Sequence, residues 1–256
     1  MSGDFARARA TASHLEVREE TGSTNADLRE RADDLERWPH LSALITRNQT
    51  AGRGRLDRTW VAPAGASLAI SVLLRALPAA PAARGWIPLA AGAAMAEAVA
   101  AQLPGHEVAV KWPNDVLVDG RKICGILAEA TADAVIVGSG VNTAMTAEQL
   151  PVPTATSFAV LGVDVDEDGL VADYLHALDA HISALAAADD AIASGLHGAV
   201  TALCATLGLP IRVLLPGDQS LEGVATALDA EGRLLVSADG TVHAVSAGDV
   251  VHVRPA

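Results

Sequence analysis

Residues 49–60 read Gln-Thr-Ala-Gly-Arg-Gly-Arg-Leu-Asp-Arg-Thr-Trp and lie between two uncharged apolar runs, 41–46 and 66–74. Runs of that length and β-branched content suit buried strands. The stretch between them is therefore a connection with both ends fixed in a sheet. From Arg47 to Trp60 it carries four arginines against one aspartate, in a chain whose formal charge is -13. Positive charge concentrated on a glycine-bearing backbone inside an acidic protein suits a small anion, although a solvated surface loop explains the same residues.

The rest of the chain frames that loop. Leu28, Ala32, Leu35 and Trp38 recur at helical spacing and predict a helix over 26–38, closed by Pro39. On spacing alone, Ser23, Thr24 and Asn25 serve as its cap. An alanine-rich helix is expected over about 86–102, with Pro88 in its first turn. Strands follow at 108–112 and 134–142. Between them Asp119-Gly120 joins two β-rich runs as a hairpin, which brings Lys111, Asn114 and Lys122 together. A proline-bearing loop covers 148–157, and helices are expected over 166–187 and 191–207. Leu170, Tyr174, Leu178 and Ile182 form the core stripe of the first. His176, His181 and His197 lack partners at ligand spacing and read as surface or packing residues. After Gly208 the texture changes to short strands at 211–215, 221–228, 233–236, 242–245 and 250–253. These suggest a small barrel-like module, too small to be secure alone and expected to dock.

Composition narrows the class. Half the residues are hydrophobic but only 3% are aromatic, so Ala, Val, Leu and Ile must build the core. The acidic balance argues against a broad nucleic-acid surface. Cys124 and Cys204, 80 positions apart, form neither a disulfide framework nor a zinc pair, which fits a reducing cytoplasm. The N-terminus lacks a signal-peptide core and no run is long and apolar enough to span a bilayer, so a soluble cytoplasmic protein is expected.

The polar residues offer fixed charge and hydrogen bonds rather than a proton-moving set. Ser23, Thr24, Asn25, Gln49, Arg53, Arg55, Trp60, Lys111, Asn114, Lys122 and Asn142 contain no Ser-His-Asp set, no paired-carboxylate pattern and no metal cluster. The glycine loop ends in neither a Walker nor a Rossmann pattern. Such a kit stabilises developing negative charge, which is what phosphoryl or nucleotidyl transfer requires.

At this point a resemblance becomes specific. Ser23-Thr24-Asn25, 49–55, Lys111-Trp112-Pro113-Asn114-Asp115, 122–127 and Gly138-Ser139-Gly140-Val141-Asn142 resemble, in order and spacing, the successive motifs of biotin protein ligases. The module ending at 246–254 resembles that family's SH3-like domain. The resemblance implies an α+β fold: a mixed central sheet packed with helices, like class II synthetases, plus a small SH3-like β-barrel. A catalytic domain is expected over 1–207 and the SH3-like domain over 208–256.

It also implies activation of biotin by ATP and Mg²⁺ to biotinyl-5'-AMP, then transfer to a lysine of a biotin carboxyl carrier domain. Carried over by motif, Ser23, Thr24, Asn25, Gln49, Arg53, Gly54, Arg55, Lys122 and Gly125 face biotin. Arg55, Arg58, Trp60, Lys111, Asn114 and Asn142 serve ATP and the adenylate. Lys122, Lys111 and Arg55 are the expected catalytic groups, with no protein metal ligands assigned. Asp115 is a candidate base for the acceptor lysine. The arginine loop is expected to be open or disordered until it closes over the adenylate.

Two departures stand out. The family pattern has Gly-Arg where this chain has Asp57-Arg58, which puts the closed loop geometry in question. Only 22 residues precede Ser23, so a ligase without a DNA-binding helix-turn-helix is expected. A lipoate or octanoate ligase and a biotin sensor without turnover are the rivals; Gln49 with Arg53 and Arg55 favours biotin, and the lysine pair Lys111 and Lys122 favours turnover.

Overall fold

A computed structural model describes residues 5–56, 58–215, 219–246 and 248–252. Its elements are α1 (Ala6–Thr11), β1 (His14–Arg18), α2 (Thr24–Arg31), β2 (Ser42–Thr46), β3 (Gly52–Arg53), β4 (Thr59–Trp60), β5 (Ser67–Leu74), α3 (Pro81–Arg84), α4 (Ile87–Gln102), β6 (Val108–Lys111), β7 (Asp115–Val118), β8 (Arg121–Ala130), β9 (Val135–Asn142), α5 (Glu167–Ala188), α6 (Leu196–Leu203), β10 (Pro210–Leu215), β11 (Gln219–Leu228), β12 (Leu234–Ala238), β13 (Thr241–Val245) and β14 (Asp249–His252). Seven strands form one mixed sheet in the order β1-β2-β5-β9-β8-β7-β6. Only β1 and β2 run parallel within it.

Period-two alternation sorts this sheet into two unlike faces. Ala43 and Ile45 of β2, Leu68, Ile70, Val72 and Leu74 of β5, and Val135, Val137 and Val141 of β9 face the main core with α4 and α5. On the other face Leu44, Leu73 and Ile136 pack with Leu28, Ala32 and Trp38 in a smaller cluster. Toward the C-terminal end of β9 that second face changes to Gly138 and Gly140, beside Ala69 and Ser71 of β5. Small residues there leave a hollow where the opposite face is filled with aliphatic side chains.

The C-terminal module is a five-stranded antiparallel sheet, β13-β12-β11-β10-β14. Among the described residues no pairing joins β13 to β14, so the barrel-like expectation is met by a small sheet. It docks as expected. Trp86 Nε1 donates to Ala230 O at 2.8 Å and Trp112 Nε1 to Gly232 O at 3.0 Å. Ile211, Val213, Ala225 and Val236 join the main core.

Two sequence expectations are corrected. The helix expected over 26–38 ends at Arg31, and Leu35 is 58% exposed. Asp33-Asp34 is poor helix sequence, and Asp34 Oδ1 accepts from Arg37 N at 3.1 Å in a turn that still buries Trp38. The last helix of the main domain is shorter than 191–207 because Asp190 Oδ1 ties Ile192 N and Ala193 N into a turn. Gly195, at φ 82°, then opens α6. α1 and β1 add a short helix and an edge strand ahead of α2.

The arginine loop is a hairpin, with Gly52 paired to Trp60 and Gly54 N donating to Arg58 O at 2.7 Å. Asp57 and the 253–254 end of the C-terminal motif lie outside the described residues. No described helix is long and apolar enough to cross a membrane.

Candidate active site

A short parallel ladder brings the two ends of the site together. Thr50 N donates to Thr21 O and Ala51 N to Gly22 O, at 3.0 and 2.8 Å. Ser23, Thr24 and Asn25 are thereby held beside Gln49. They do not cap α2 through their side chains, which corrects the capping assignment. Gln49 Oε1 accepts from both Thr24 N and Thr24 Oγ1, at 2.9 and 3.0 Å. Ser71 Oγ lies 2.7 Å from Thr24 Oγ1 and 2.6 Å from Asn25 Oδ1. Asn25 Nδ2 donates to Leu127 O and to Glu129 Oε2. Ser23 is only 6% exposed, makes no side-chain cap hydrogen bond and lines the cavity. A buried serine hydroxyl facing a cavity is suited to a polar ligand atom.

That cavity, about 170 Å³, has the hollow of β9 as its floor and the hairpin as its roof. Ser23, Thr24, Asn25 and Gln49 line one side, and Arg53, Gly54, Arg55, Arg58, Asn114 and Lys122 the cationic side. Gly125, Gly138 and Gly140 make up the floor. A Cβ on Gly140 would stand 2.7 Å from the Trp60 indole, so glycine is required for the ring to lie there. Trp60 therefore lines the site instead of filling the core, and its buried Nε1 has no protein partner among the described residues.

The charges are tightly arranged. Lys122 Nζ is 2.7 Å from Asp115 Oδ1, and the β6–β7 register sets Lys111 opposite Asp115. Arg55 Nη1 donates to Asn114 Oδ1 at 2.8 Å, while Asn114 Nδ2 donates to Ile126 O. Arg53 Nη2 reaches Glu129 at 3.0 Å, which also receives Arg29. Arg58 pairs with Asp249 of the C-terminal sheet. Burial pushes the Arg55 guanidinium and the Lys111 ammonium below their usual ranges. Asp115 opposes both shifts; Arg58 adds to the first and Lys122 to the second.

Lys111 should accordingly lose its proton at a lower pH than an ordinary lysine. Asp115→Asn should lower that pH further, because it removes the attraction that opposes burial. NMR titration of reductively ¹³C-methylated protein reads both, and an unmoved Lys111 resonance in the variant contradicts the placement of Asp115.

Two expected site residues are not brought to the cavity lining. Lys111 stands behind it, coupled to Asp115 and Lys122. Asn142 is buried and its amide donates to Thr156 O at 2.9 Å, which secures the 143–158 loop. Ser71, Glu129 and Asp249 belong to the site and were missed by sequence reasoning. Ser71 and Glu129 sit on the cavity face of their strands by parity, which was the available signal.

Residues 18–142 match the model of the Biotin/lipoate A/B protein ligase family, and residues 206–253 that of the Biotin protein ligase C terminal domain. The biotin--[acetyl-CoA-carboxylase] ligase of Mycobacterium tuberculosis is 41% identical over 243 residues, covering 94% of this chain and 89% of that protein. In fold, the chain is similar to the biotin protein ligase of Aquifex aeolicus in complex with biotin and ATP. That likeness has a TM-score of 0.77 at 24% identity, over 95% of this chain and 100% of the other. The Leishmania major biotin protein ligase in complex with biotinyl-5-AMP superposes at a TM-score of 0.62 and 28% identity, over 92% and 99%. With both modules matched, and with near full-length identity to a curated ligase, this chain belongs to the biotin protein ligase family.

Proposed function

We propose that this chain joins biotin to ATP as biotinyl-5'-AMP, releasing pyrophosphate, and then passes the biotinyl group to a lysine of a carboxylase's biotin carboxyl carrier domain. The observation that carries the reading is one cavity with neutral hydrogen-bonders at one side and Arg53, Arg55, Arg58 and Lys122 at the other. Biotin has the matching polarity: a ureido ring that donates and accepts, an apolar body and a carboxylate. Ser23, Thr24, Asn25 and Gln49 serve the ring, and the glycine floor accepts the bicyclic body. Residues 1–207 form the catalytic unit and 208–256 the companion module in this reading.

The first step brings a carboxylate oxygen to the α-phosphorus, and pyrophosphate leaves. Two anions must meet, so positive charge at the junction lowers the barrier most. Arg55 and Lys122 stand there, with Lys111 behind them and Asn114 orienting Arg55. Gly54 lets the hairpin pass close over the intermediate, and Trp60 closes the floor side against water. In the second step the acceptor amine attacks the acyl carbon and AMP leaves. Asp115, in the cavity lining, is the candidate to take the amine's proton. Arg58, Trp60, Asn114 and Asn142 make up the nucleotide side, Asn142 through the 143–158 loop.

Mg²⁺ is expected to arrive with ATP. Among the described residues no cluster of His, Cys, Asp or Glu is placed to hold a metal. Asp115, Glu129 and Asp249 are each engaged by lysine or arginine. The donor set does not fit a protein-held ion, and the steps above rest on side chains. In this reading the enzyme is cytoplasmic, and a formal charge of -13 disfavours direct nucleic-acid binding.

The test is pyrophosphate release from ATP and Mg²⁺ with biotin or lipoate as the acid. Release with biotin is expected. Release with lipoate alone rejects biotin as the substrate, and biotin binding without release makes the chain a sensor.

A further inference from the structure

Asp249 opens β14 of the C-terminal sheet, yet it lines the cavity of the other module. Arg58 Nη2 pairs with its Oδ2, Arg55 Nη1 stands 3.9 Å from its Oδ1, and Arg55 Nη2 donates to Gly248 O at 3.3 Å. The strand fixes the carboxylate in place. Asp249 is opposite Leu214 in the β10–β14 register, and a Cβ on Gly248 would lie 2.7 Å from Val213 Cγ1. The same Arg55 Nη1 donates to Asn114 Oδ1 at 2.8 Å. The nearby acidic groups Asp115, in the lining, and Glu129, beside it, engage Lys122 and Arg53. Asp249 thus pairs with Arg58 and approaches Arg55 from the C-terminal sheet, while Asp115 attracts Arg55 from within the cavity.

We propose that Asp249 is a positioning residue that holds the place of a nucleotide phosphate: it keeps Arg55 and Arg58 turned into the cavity and competes with ATP for them. This rests on reading the cavity as an adenylation site. ATP carries several negative charges against one on the carboxylate, so it displaces Asp249. Its apparent affinity is nevertheless reduced by the fraction of time the arginines are paired. Arg58 is 63% exposed, so the pair is weak and screened by salt. The reduction should be about two- to fivefold at low salt.

Calorimetric titration of ATP into the full-length protein tests this, with Asp249→Asn and the charge-matched control Glu222→Gln. Glu222 pairs with Arg212 on the exposed face of the C-terminal module. Asp249→Asn is expected to bind ATP about two- to fivefold more tightly at ~0.02 M salt, with the gain lost near ~0.5 M. Glu222→Gln is expected to match the parent. Equal or weaker binding by Asp249→Asn overturns the proposal, as does the same gain in both variants. Asp249→Ser repeats the measurement if the asparagine variant melts early. A parent protein that binds no ATP refutes the adenylation reading itself, whereas ATP binding without a gain in the variant refutes only the role of Asp249.

Discussion

Lys122→Ala should reduce biotin-dependent pyrophosphate release by about 10²–10³-fold, the scale for removing one charge-stabilising donor from a reacting centre. Its ammonium is the lysine charge that lines the cavity, set 2.7 Å from Asp115 and above Gly125. Hairpin register aims it there. Lys122 N donates to Thr154 O and Lys122 O accepts from Thr156 N, so the 154–156 segment pins the backbone on its other edge. Truncation leaves Asp115 facing the incoming carboxylate and phosphate without its counter-charge, which adds repulsion to the lost attraction. Single-turnover release of pyrophosphate is the appropriate readout, since it isolates the first step. Release at the parent rate removes Lys122 from the mechanism.

Gly138→Ala should damage the site from beneath. Its Cβ would overlap the Asn25 carboxamide, which is tied to Leu127 O, Glu129 and Ser71. Asn25 must leave, and each buried partner left unsatisfied costs about 1–3 kcal/mol. The hydroxyl chain from Ser71 through Thr24 to Gln49 loses its end point at the same time. We expect a melting temperature lower by several degrees, about 4 °C or more, and biotin binding weakened at least ~10-fold, which is about 1.4 kcal/mol. Differential scanning calorimetry and biotin titration check the two halves. A variant that melts and binds like the parent shows that Asn25 is not anchored as described.

Uncharged runs such as 66–74 and 134–142 signalled buried strands, and Asp119-Gly120, at φ 49° and 74°, turns the hairpin that pairs Lys122 with Asp115. Those signals are local, so they survive without tertiary knowledge. The five motifs likewise located the Gln49, Arg55, Asn114 and Lys122 that meet in one cavity. What escaped was set by distant partners. Ser71 and Glu129 look like ordinary strand residues until β5 and β8 flank β9. Asp249 needs the docked C-terminal sheet before it can face Arg58 across 191 positions. The short parallel β1 has only the edge of β2 to define it, and α1 is a six-residue helix whose contacts are with α5. Helical spacing through Leu35 misled because Asp33-Asp34 favoured a turn that buries Trp38 equally well.

The central claim is that this cavity makes an activated biotin and gives it to a lysine of a carrier domain. The most direct measurement incubates the protein with labelled biotin, ATP, Mg²⁺ and a biotin carboxyl carrier domain, then locates the label by mass spectrometry. Label is expected on one carrier lysine, dependent on ATP and slowed about 10²–10³-fold with Lys122→Ala. Label on the carrier without ATP, or none with every component present, would contradict it.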